Sequence, residues 1–234
     1  MVTTDRPRIL DLFCCAGGAG SGYARSGFAV YGIDNNPKNH RDNPFDVRDG
    51  DVLEELLSHV YQIGDRPPLP EFDAVHASPP CQAHTALTKG TNRETHSYVD
   101  LIDETRHWLR RIGKPYIIEN VEQSTVRPDL KLCGEMFGLR VLKHRIFEIE
   151  GFTVPQPEHI KHKGRAAGWR HGSKPEEPYY VSVYGTGGSR GTIEQWREAM
   201  EMPWAGTKRQ LSEAIPPAYT EYIGKHLLTH LQTL

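Results

Sequence analysis

The stretch RILDLFCCAGGAGSG (residues 8–22) decides the fold, because an apolar run passes directly into a turn rich in glycine. The run from Arg8 to Phe13 predicts a buried strand, and the following glycines predict a tight turn and the start of a helix. Phe28 to Asp34 predicts a second strand, which ends in an acidic residue. Glycines at such a turn let the backbone approach a bound cofactor closely, and the acid can accept hydrogen bonds from ribose hydroxyls. The glycine spacing does not match the G-x-G-x-x-G pattern of hydride-transfer enzymes.

Strand and helix patterns alternate along the first 150 residues. Asp51–Leu57 predicts a short helix, Phe72–Val75 a buried strand and Ser97–Ile112 a helix with one apolar face. Pro115–Val121 predicts another buried strand, and Phe147–Ile149 suggests one more. This alternation predicts an α/β fold, with a Rossmann-like, doubly wound sheet and helices on both faces.

The character of the sequence changes after about residue 150. Residues 159–174 carry five basic side chains and no acidic one, interleaved with Trp169 and several histidines. We interpret residues 151–194 as a small separate region, and residues 1–150 together with 195–234 as the main domain. A helix is predicted at Ile193–Met200, and the amphipathic tail at residues 218–228 is expected to pack back on the sheet.

Size and charge exclude several classes of protein. The 234 residues suffice for one α/β domain with a good core, and a net charge of −2 excludes a wholesale polybasic nucleic-acid binder but not a local basic face. No apolar stretch approaches the roughly 20 residues that span a bilayer, and the first residues lack the apolar core of a secretion signal. The four cysteines show no C-x-x-C spacing, so we expect reduced thiols in a cytoplasmic protein.

The sequence does not predict a metal site. His159, His162 and His171 offer imidazole ligands, but no cysteine lies near them in the sequence, and structural zinc usually takes four ligands. A zinc site built on these three histidines is therefore a weak alternative.

Cys81 is the side chain that points most directly to chemistry. It follows Pro79 and Pro80, which cannot continue a central strand because they lack an N–H group, so the thiol is predicted on a turn at the carboxyl end of a strand. Open α/β sheets bind their ligands at this edge. Glu119 ends the next predicted strand and could face the same pocket. Taken singly, an incidental buried thiol and a surface glutamate are the commoner explanations, whereas a thiol beside a carboxyl suggests nucleophilic catalysis with proton transfer.

Several motifs, in this order, resemble those of the DNA cytosine-5 methyltransferase family. The three that carry the resemblance are D-L-F-C-C-A-G-G at residues 11–18, P-C-Q at 80–82 and E-N-V at 119–121. Three further stretches also fit the family: D-G-D-V at 49–52, K-H-R-I-F at 143–147, and I-P-P-A-Y at 215–219 with the I-G at 223–224. The resemblance covers residues 8–150 and 195–228 and suggests a compact member with a short target-recognition region.

The resemblance implies S-adenosylmethionine as the cofactor and S-adenosylhomocysteine as its product. Phe13 would lie against the adenine, the turn from Ala16 to Gly20 would hold the methionine part, Asp34 would bind the ribose and Asp51 the adenine amino group. The complete set of expected cofactor contacts is Phe13, Ala16, Gly17, Gly18, Gly20, Asp34, Asn35, Asp51, Val52 and Pro80.

The implied reaction methylates carbon 5 of cytosine in double-stranded DNA, after the base has been flipped out of the duplex. Cys81 would add to carbon 6, Glu119 would bind and protonate the ring at N3, and Arg145 would support the base or a nearby phosphate. Gln82 and Asn120 complete the expected catalytic set.

Basic residues near the predicted site would contact the nucleic acid, and such phosphate contacts give an affinity that falls with salt. They are Lys89, Arg93, Lys143, Lys161, Lys163, Arg165 and Arg170. We expect a monomer that binds double-stranded DNA, with a short recognition sequence or low specificity, because so small a region presents few side chains to base edges. The alternatives are the same chemistry on RNA such as tRNA, a non-catalytic DNA-binding protein that retains a cofactor pocket, and a nicotinamide-linked oxidoreductase, which the glycine spacing disfavours.

The sequence departs from the family pattern in three stretches. Cys15 stands in the glycine-rich turn where the family usually has glycine, and a side chain there is expected to crowd the turn. Val141 and Lys143 stand where glutamine and arginine are usual. Glu213 precedes the last Pro-Pro pair, and its carboxylate would be unfavourable beside the carboxylate of the cofactor unless a cation lies between them.

Overall fold

The structure is a computed structural model that describes residues 6–63, 68–80, 100–159, 161–164, 166, 180–185 and 191–234. Several residues named above lie outside the described residues: Cys81, Gln82, Lys89, Arg93, Arg165, Trp169, Arg170 and His171.

A seven-stranded sheet forms the centre of the described structure. Its strands in chain order are β1 (Arg8–Leu12), β2 (Ala29–Asp34), β3 (Asp46–Asp49), β4 (Ala74–Ala77), β5 (Tyr116–Asn120), β6 (Leu130–Leu132) and β7 (Arg145–Glu150). Across the sheet the order is β3-β2-β1-β4-β5-β7-β6, and only β7 runs antiparallel to its neighbours. The carboxyl ends of six strands and the amino end of β7 therefore meet at one side, which we call the carboxyl edge.

Helices cover both faces of the sheet. They are α1 (Gly18–Arg25), α2 (Pro37–His40), α3 (Val52–Tyr61), α4 (Ile102–Ile112), α5 (Ile193–Met200), α6 (Lys208–Glu213) and α7 (Pro217–Leu231), with a 3₁₀ turn at Gly134–Phe137. Alternate strand residues point to opposite faces. Leu10 and Ile118 pack in one core cluster with residues of α3 and α4, whereas Ile9 and Ile117 pack in a second cluster with residues of α1 and α7. The predicted α/β fold with a Rossmann-like sheet and helices on both faces is confirmed.

The last helix docks directly on the first. A Cβ atom on Gly22 would lie 2.1 Å from the carbonyl oxygen of Pro217 and 2.1 Å from Oγ1 of Thr220, so only glycine allows this approach. The Thr220 hydroxyl donates to the carbonyl of Ala19 at 2.7 Å. The predicted return of the C-terminal segment to the sheet is thus observed, whereas the separate region at 151–194 stays a prediction.

No helix in the described part of the chain is long and apolar enough to cross a membrane.

One buried ion pair joins α4 to the sheet. Glu148 of β7 has no exposed surface, and Arg106 donates to both of its carboxylate oxygens at 2.8–3.0 Å. The backbone N–H of Arg127 and the hydroxyl of Tyr116 also donate to this carboxylate. Burial by itself would raise the pKa of Glu148, but the bonds from Arg106 and from the N–H of Arg127 outweigh it and lower that pKa, so the charge is kept.

Replacement of Arg106 tests this pair. We expect Arg106→Leu to lower the free energy of unfolding by about 3–5 kcal/mol, because it leaves the Glu148 carboxylate buried without its cation. Urea unfolding followed by circular dichroism measures the loss. Arg111→Leu removes a charge from an exposed position of the same helix and should cost less than about 1 kcal/mol. Equal losses in the two variants would contradict the assignment.

Candidate active site at the carboxyl edge

The glycine-rich turn after β1 is held in a strained conformation. Phe13, Cys15 and Gly17 all have positive φ, at 58°, 45° and 76°, although only the last is glycine. Positive φ costs a residue with a side chain about 1–3 kcal/mol, so contacts within the protein must fix the turn. The N–H of Cys15 donates to Asp34 at 2.9 Å, and the N–H of Gly17 donates to the carbonyl of Cys14 at 2.9 Å.

Cys15 does not crowd the turn, contrary to the expectation from its sequence. Its side chain is buried in a third core cluster that includes Trp196 and Met202. Burial, reinforced by the nearby carboxylate of Glu213, raises the pKa of the Cys15 thiol to about 12. This cysteine is therefore a packing residue that tolerates the left-handed backbone.

Helix α1 begins directly after this turn without a side chain to cap it. Gly17 is its N-cap residue, and neither an acidic side chain nor a capping hydrogen bond occurs in its first turn. The free N–H groups at such a helix start can bind a carboxylate or another anion. Gly18 and Gly20, however, have close neighbours within the protein, so their lack of a side chain does not by itself indicate a ligand. A Cβ atom added to Gly18 would lie 2.4 Å from the carbonyl of Ile215, and one added to Gly20 would lie 3.1 Å from Oδ2 of Asp11.

Two acids expected to hold the cofactor end neighbouring strands. Asp34 ends β2 and is buried, and its two oxygens accept from the N–H groups of Cys15 and Asn36, each at 2.9 Å. Asp51 follows β3 and is exposed, and its Oδ1 caps α3 by accepting from Leu53 and Glu54. The observed role of Asp34 is thus to fix the turn.

The neighbours of these acids differ in exposure. Phe13 is half-buried against the first core cluster, Asn35 is exposed, and Val52 is buried within that cluster. Ala16 is buried, and its carbonyl accepts from the indole N–H of Trp204 at 2.8 Å.

Asp11 is a buried acid that the sequence argument did not single out as a site residue. It lies within β1, is 1% exposed, and neither oxygen accepts a well-aligned hydrogen bond from the residues described. Burial, with a smaller contribution from Asp34, raises its pKa to about 8. The sequence signal that could have identified Asp11 is an acidic residue inside an apolar strand.

Glu119 and Arg145 form an ion pair at the carboxyl edge. Glu119 lies near the end of β5 and is 6% exposed, and Arg145 begins the antiparallel neighbour β7. Nε of Arg145 lies 2.9 Å from Oε1 of Glu119, but its N–H is not aligned with that oxygen. Burial raises the pKa of Glu119, although Arg145, the hydroxyl of Ser78 and Lys143 act to lower it. The protonated form of Glu119 is therefore more favoured than that of an ordinary glutamate, although Arg145 lies beside it.

Asn120 connects this carboxyl to the turn that leads into Cys81. Its side-chain amide donates to the carbonyl of Pro79 at 2.9 Å, which ties the end of β5 to the residues after β4. Pro80, the last described residue before the thiol, is exposed. The structure thus brings Glu119, Asn120, Arg145 and Pro80 to one edge.

A buried polar chain supports the same turn from beneath. The hydroxyl of Tyr23 lies 3.0 Å from Nδ1 of His76, and Nε2 of His76 lies 2.9 Å from Oγ of Ser78. Burial lowers the pKa of His76 to about 3, so its ring is neutral. Ser78, at the end of this chain, also acts on Glu119. This chain of Tyr23, His76 and Ser78 was not predicted from the sequence.

The predicted contact of Lys143 with nucleic acid does not agree with the place of its side chain. Its side chain is 4% exposed, and Nζ donates to the carbonyls of Leu211 at 3.1 Å and Ser212 at 2.7 Å, at the carboxyl end of α6. A cation in this place stabilises the helix end. Lys161 and Lys163 are exposed, as a contact to phosphate requires.

The carboxylate of Glu213 is paired within the protein, whereas its relation to the carboxylate of the cofactor stays a prediction. Nε of Arg209 donates to it at 2.9 Å, and the amide of Asn39 donates at 2.9 Å.

A cysteine does lie near two of the histidines in the folded chain, contrary to the expectation from the sequence. Cys133 is distant from His159 and His162 in sequence, but the fold places its sulfur 3.6 Å from Nε2 of His162.

Solved structures share this fold over almost the whole chain. A candidate DNA modification methyltransferase encoded within a prophage (E. coli) matches with a TM-score of 0.57 and 14% identity, over 97% of this chain and 99% of that one. A triple mutant of DNMT2 from Spodoptera frugiperda matches with a TM-score of 0.55 and 14% identity, over the same shares. The chain has the fold of these methyltransferases. The resemblance seen in the motifs is thereby confirmed at the level of the fold. No protein-family model and no curated protein sequence matches the chain.

The raised pKa of Asp11 predicts how stability depends on pH. The folded state keeps a proton that the unfolded chain releases near pH 3.8, so stability falls as the pH rises from 4 to 8 through this group. Asp11→Asn removes the effect, and its free energy of unfolding at pH 8, relative to pH 4, should exceed that of the wild type by roughly 2–5 kcal/mol. Thermal and urea unfolding at both pH values measure the difference. Asp46→Asn, an exposed change, should behave as the wild type, and identical pH dependence in all three proteins would refute the assignment.

Proposed function

We propose that this chain is an enzyme that transfers the methyl group of S-adenosylmethionine to carbon 5 of cytosine in double-stranded DNA. The observation that carries the proposal is the hydrogen bond from Asn120 to the carbonyl of Pro79. It joins the strand end that bears Glu119 to Pro79, two residues before Cys81, which supports the proposal that a nucleophile and a proton donor serve one pocket at the ligand-binding edge of the sheet. The fold and the order of the motifs support the same function.

The residues after β1, β2 and β3 fit S-adenosylmethionine. The uncapped start of α1, with Ala16 and Gly17 before it, offers N–H groups to the carboxylate of the cofactor. Asp34 and Asn35 would bind the ribose, and Asp51 would accept from the adenine amino group while its Oδ1 caps α3. When bound, S-adenosylmethionine supplies an electrophilic methyl group on a sulfonium.

Cytosine needs activation by the protein, because carbon 5 alone is a poor nucleophile. The Cys81 thiolate adds to carbon 6 with formation of a C–S bond, and the displaced ring electrons make carbon 5 enamine-like while N3 takes a proton from Glu119. After methyl transfer, a base removes the proton from carbon 5 and Cys81 leaves as the thiolate. Cys81 lies outside the described residues, so its role rests on its place in the motif.

The proposed proton on Glu119 agrees with its surroundings. Burial raises the pKa of this carboxyl, which favours the protonated form that donates to N3. Arg145, 2.9 Å away, would hold the carboxyl in place and stabilise negative charge after the transfer.

The proposed DNA contact is the basic segment at 159–174. Lys161 and Lys163 are exposed there and can meet phosphates once the target base has been flipped out. We propose residues 151–194 as the recognition region of a cytoplasmic monomer, and expect that its small size limits sequence specificity.

Labelled cofactor tests the reaction and its nucleophile. Incubation with tritiated S-adenosylmethionine should label carbon 5 of cytosine in duplex DNA, and Cys81→Ser should reduce the rate at least about 10³-fold with cofactor affinity unchanged. Scintillation counting measures the label and calorimetry the affinity. DNA that contains 5-fluorocytosine should trap the wild type as a covalent adduct but not Cys81→Ser. Label in tRNA alone would show that RNA is the substrate, and full activity of the variant would reject the mechanism.

The pH dependence of turnover tests Glu119. Because the protonated carboxyl is the active form, kcat should fall as the pH rises through its raised pKa, with Arg145, Lys143 and Ser78 as the groups that oppose the rise. Glu119→Gln should lose this alkaline limb and about 10²-fold in kcat, since the amide can bind N3 but cannot protonate it. Glu150→Gln, at the far end of β7, should keep both kcat and the profile. An unchanged alkaline limb in Glu119→Gln would exclude the role.

A further inference from the structure

Four potential metal ligands converge at the carboxyl edge, two strands away from Glu119. The Sγ atom of Cys133 and one ring nitrogen from each of His144, His159 and His162 all lie within 4.8 Å of one another. Leu132 of β6 pairs with Arg145 of β7, so Cys133 and His144 are the next residues on the two sides of that strand pair. The first two ligands are thus placed together by strand register.

The second two ligands come from the segment that follows β7, and this segment is fixed on both sides. Gln156 binds along β6, since its side chain accepts from the N–H of Lys131 at 2.9 Å and donates to the carbonyl of Lys131 at 2.8 Å. Beyond His162, the N–H of Lys163 donates to the hydroxyl of Tyr180 at 2.7 Å, and that hydroxyl donates to the buried Glu135. His159 and His162 are therefore held beside Cys133 by contacts outside the cluster.

The measured spacings resemble the edges of a tetrahedral metal site. Zinc bonds of about 2.0–2.1 Å to nitrogen and 2.3 Å to sulfur place two nitrogens about 3.3 Å apart and sulfur about 3.6 Å from nitrogen. The sulfur of Cys133 lies 3.6 Å from Nε2 of His162, and Nε2 of His144 lies 3.1 Å from Nε2 of His159. The four ligand atoms lie within 4.8 Å of one another, so the widest pair must contract by up to about 1.5 Å, and the exposed side chain of His159 has room to move.

The chemistry of the side chains around the Cys133 thiol also favours a metal ion. Three imidazole rings with centroids 5.0–5.3 Å apart surround this thiol. Neutral imidazoles and a thiol are the ligands that zinc prefers over magnesium or calcium.

We propose that Cys133, His144, His159 and His162 bind one Zn²⁺ ion in a closed, four-coordinate site. Binding forms one Zn–S and three Zn–N bonds, and the thiol releases its proton to water. With four protein ligands no position remains for a substrate, so the ion is structural. It ties the start of the basic segment 159–174 to the end of the sheet, where Arg145 also donates to the carbonyl of His144 at 2.8 Å.

Metal analysis of the full chain tests the site without any assay of methyl transfer, so failure of the proposed reaction would not affect the outcome. Protein from zinc-supplemented medium should contain about one zinc per chain by mass spectrometry, and a chelator should lower the Tm by at least about 5 °C. Cobalt added to the metal-free protein should give the visible spectrum of a tetrahedral site with a sulfur-to-cobalt charge-transfer band.

Variants separate this site from adventitious binding. Cys133→Ser should lose the charge-transfer band, and His159→Ala should lower zinc content at least about tenfold after dialysis against buffer. His159 is exposed, so its variant stays informative if Cys133→Ser fails to fold. His107→Ala, an exposed change on α4, is the matched control and should retain zinc in full. Wild-type protein without zinc that gives no tetrahedral cobalt spectrum, or zinc retained in full by His159→Ala, would overturn the proposal.

Discussion

The reversed direction of β7 is the constraint on which the candidate site depends. In a wholly parallel sheet, the amino end of β7 would lie at the opposite side from the end of β5. Because β7 runs antiparallel between β5 and β6, its first residue, Arg145, reaches the edge where Glu119 lies. The same reversal places Cys133, after β6, beside His144, before β7. One feature of topology thus brings together the ion pair and the sulfur–histidine cluster.

The sequence predicted those strands that are buried on both faces. β1, β4 and β5 are almost wholly buried because helices cover both sides of this part of the sheet, and β2 and β7 carry enough apolar residues to be predicted as well. The edge strand β3 was not predicted, since its residues D-V-R-D are half-exposed and carry no apolar run. β6 has only three residues, so its pattern is too short to separate from a loop. Pairing with a neighbour, which no local pattern encodes, makes both segments strands.

The contact between two motif residues was expected, whereas contacts with partners outside the motifs were not. Glu119 and Arg145 were expected to serve one reaction, and they lie in contact. The basic side chain of Lys143 suggested phosphate binding, but its partners are carbonyls 68 and 69 residues later, at the end of a helix that was not predicted. The short distance between Cys133 and the histidines was likewise not predicted, because these residues are far apart in sequence. Strand register and the contacts of Gln156 set that distance.

Three buried carboxyl groups in the same sheet show how the protein assigns them different protonation states. Glu148 accepts several aligned bonds from Arg106, which outweigh burial and keep it ionised. Asp11 has no cation beside it among the described residues, and burial raises its pKa to about 8, although the N–H of Gly20 acts to lower it. Glu119 lies between these cases, because Arg145 is close but its N–H is poorly aligned, and the pKa is raised without loss of the cation. A group that must both hold and release a proton needs this intermediate setting, whereas a purely structural carboxylate is better served by the aligned pairing of Glu148. Each of these two arginine–glutamate pairs has one member on β7, and the difference in their alignment and in the direction of the pKa shift favours a chemical role for Glu119 over a structural one.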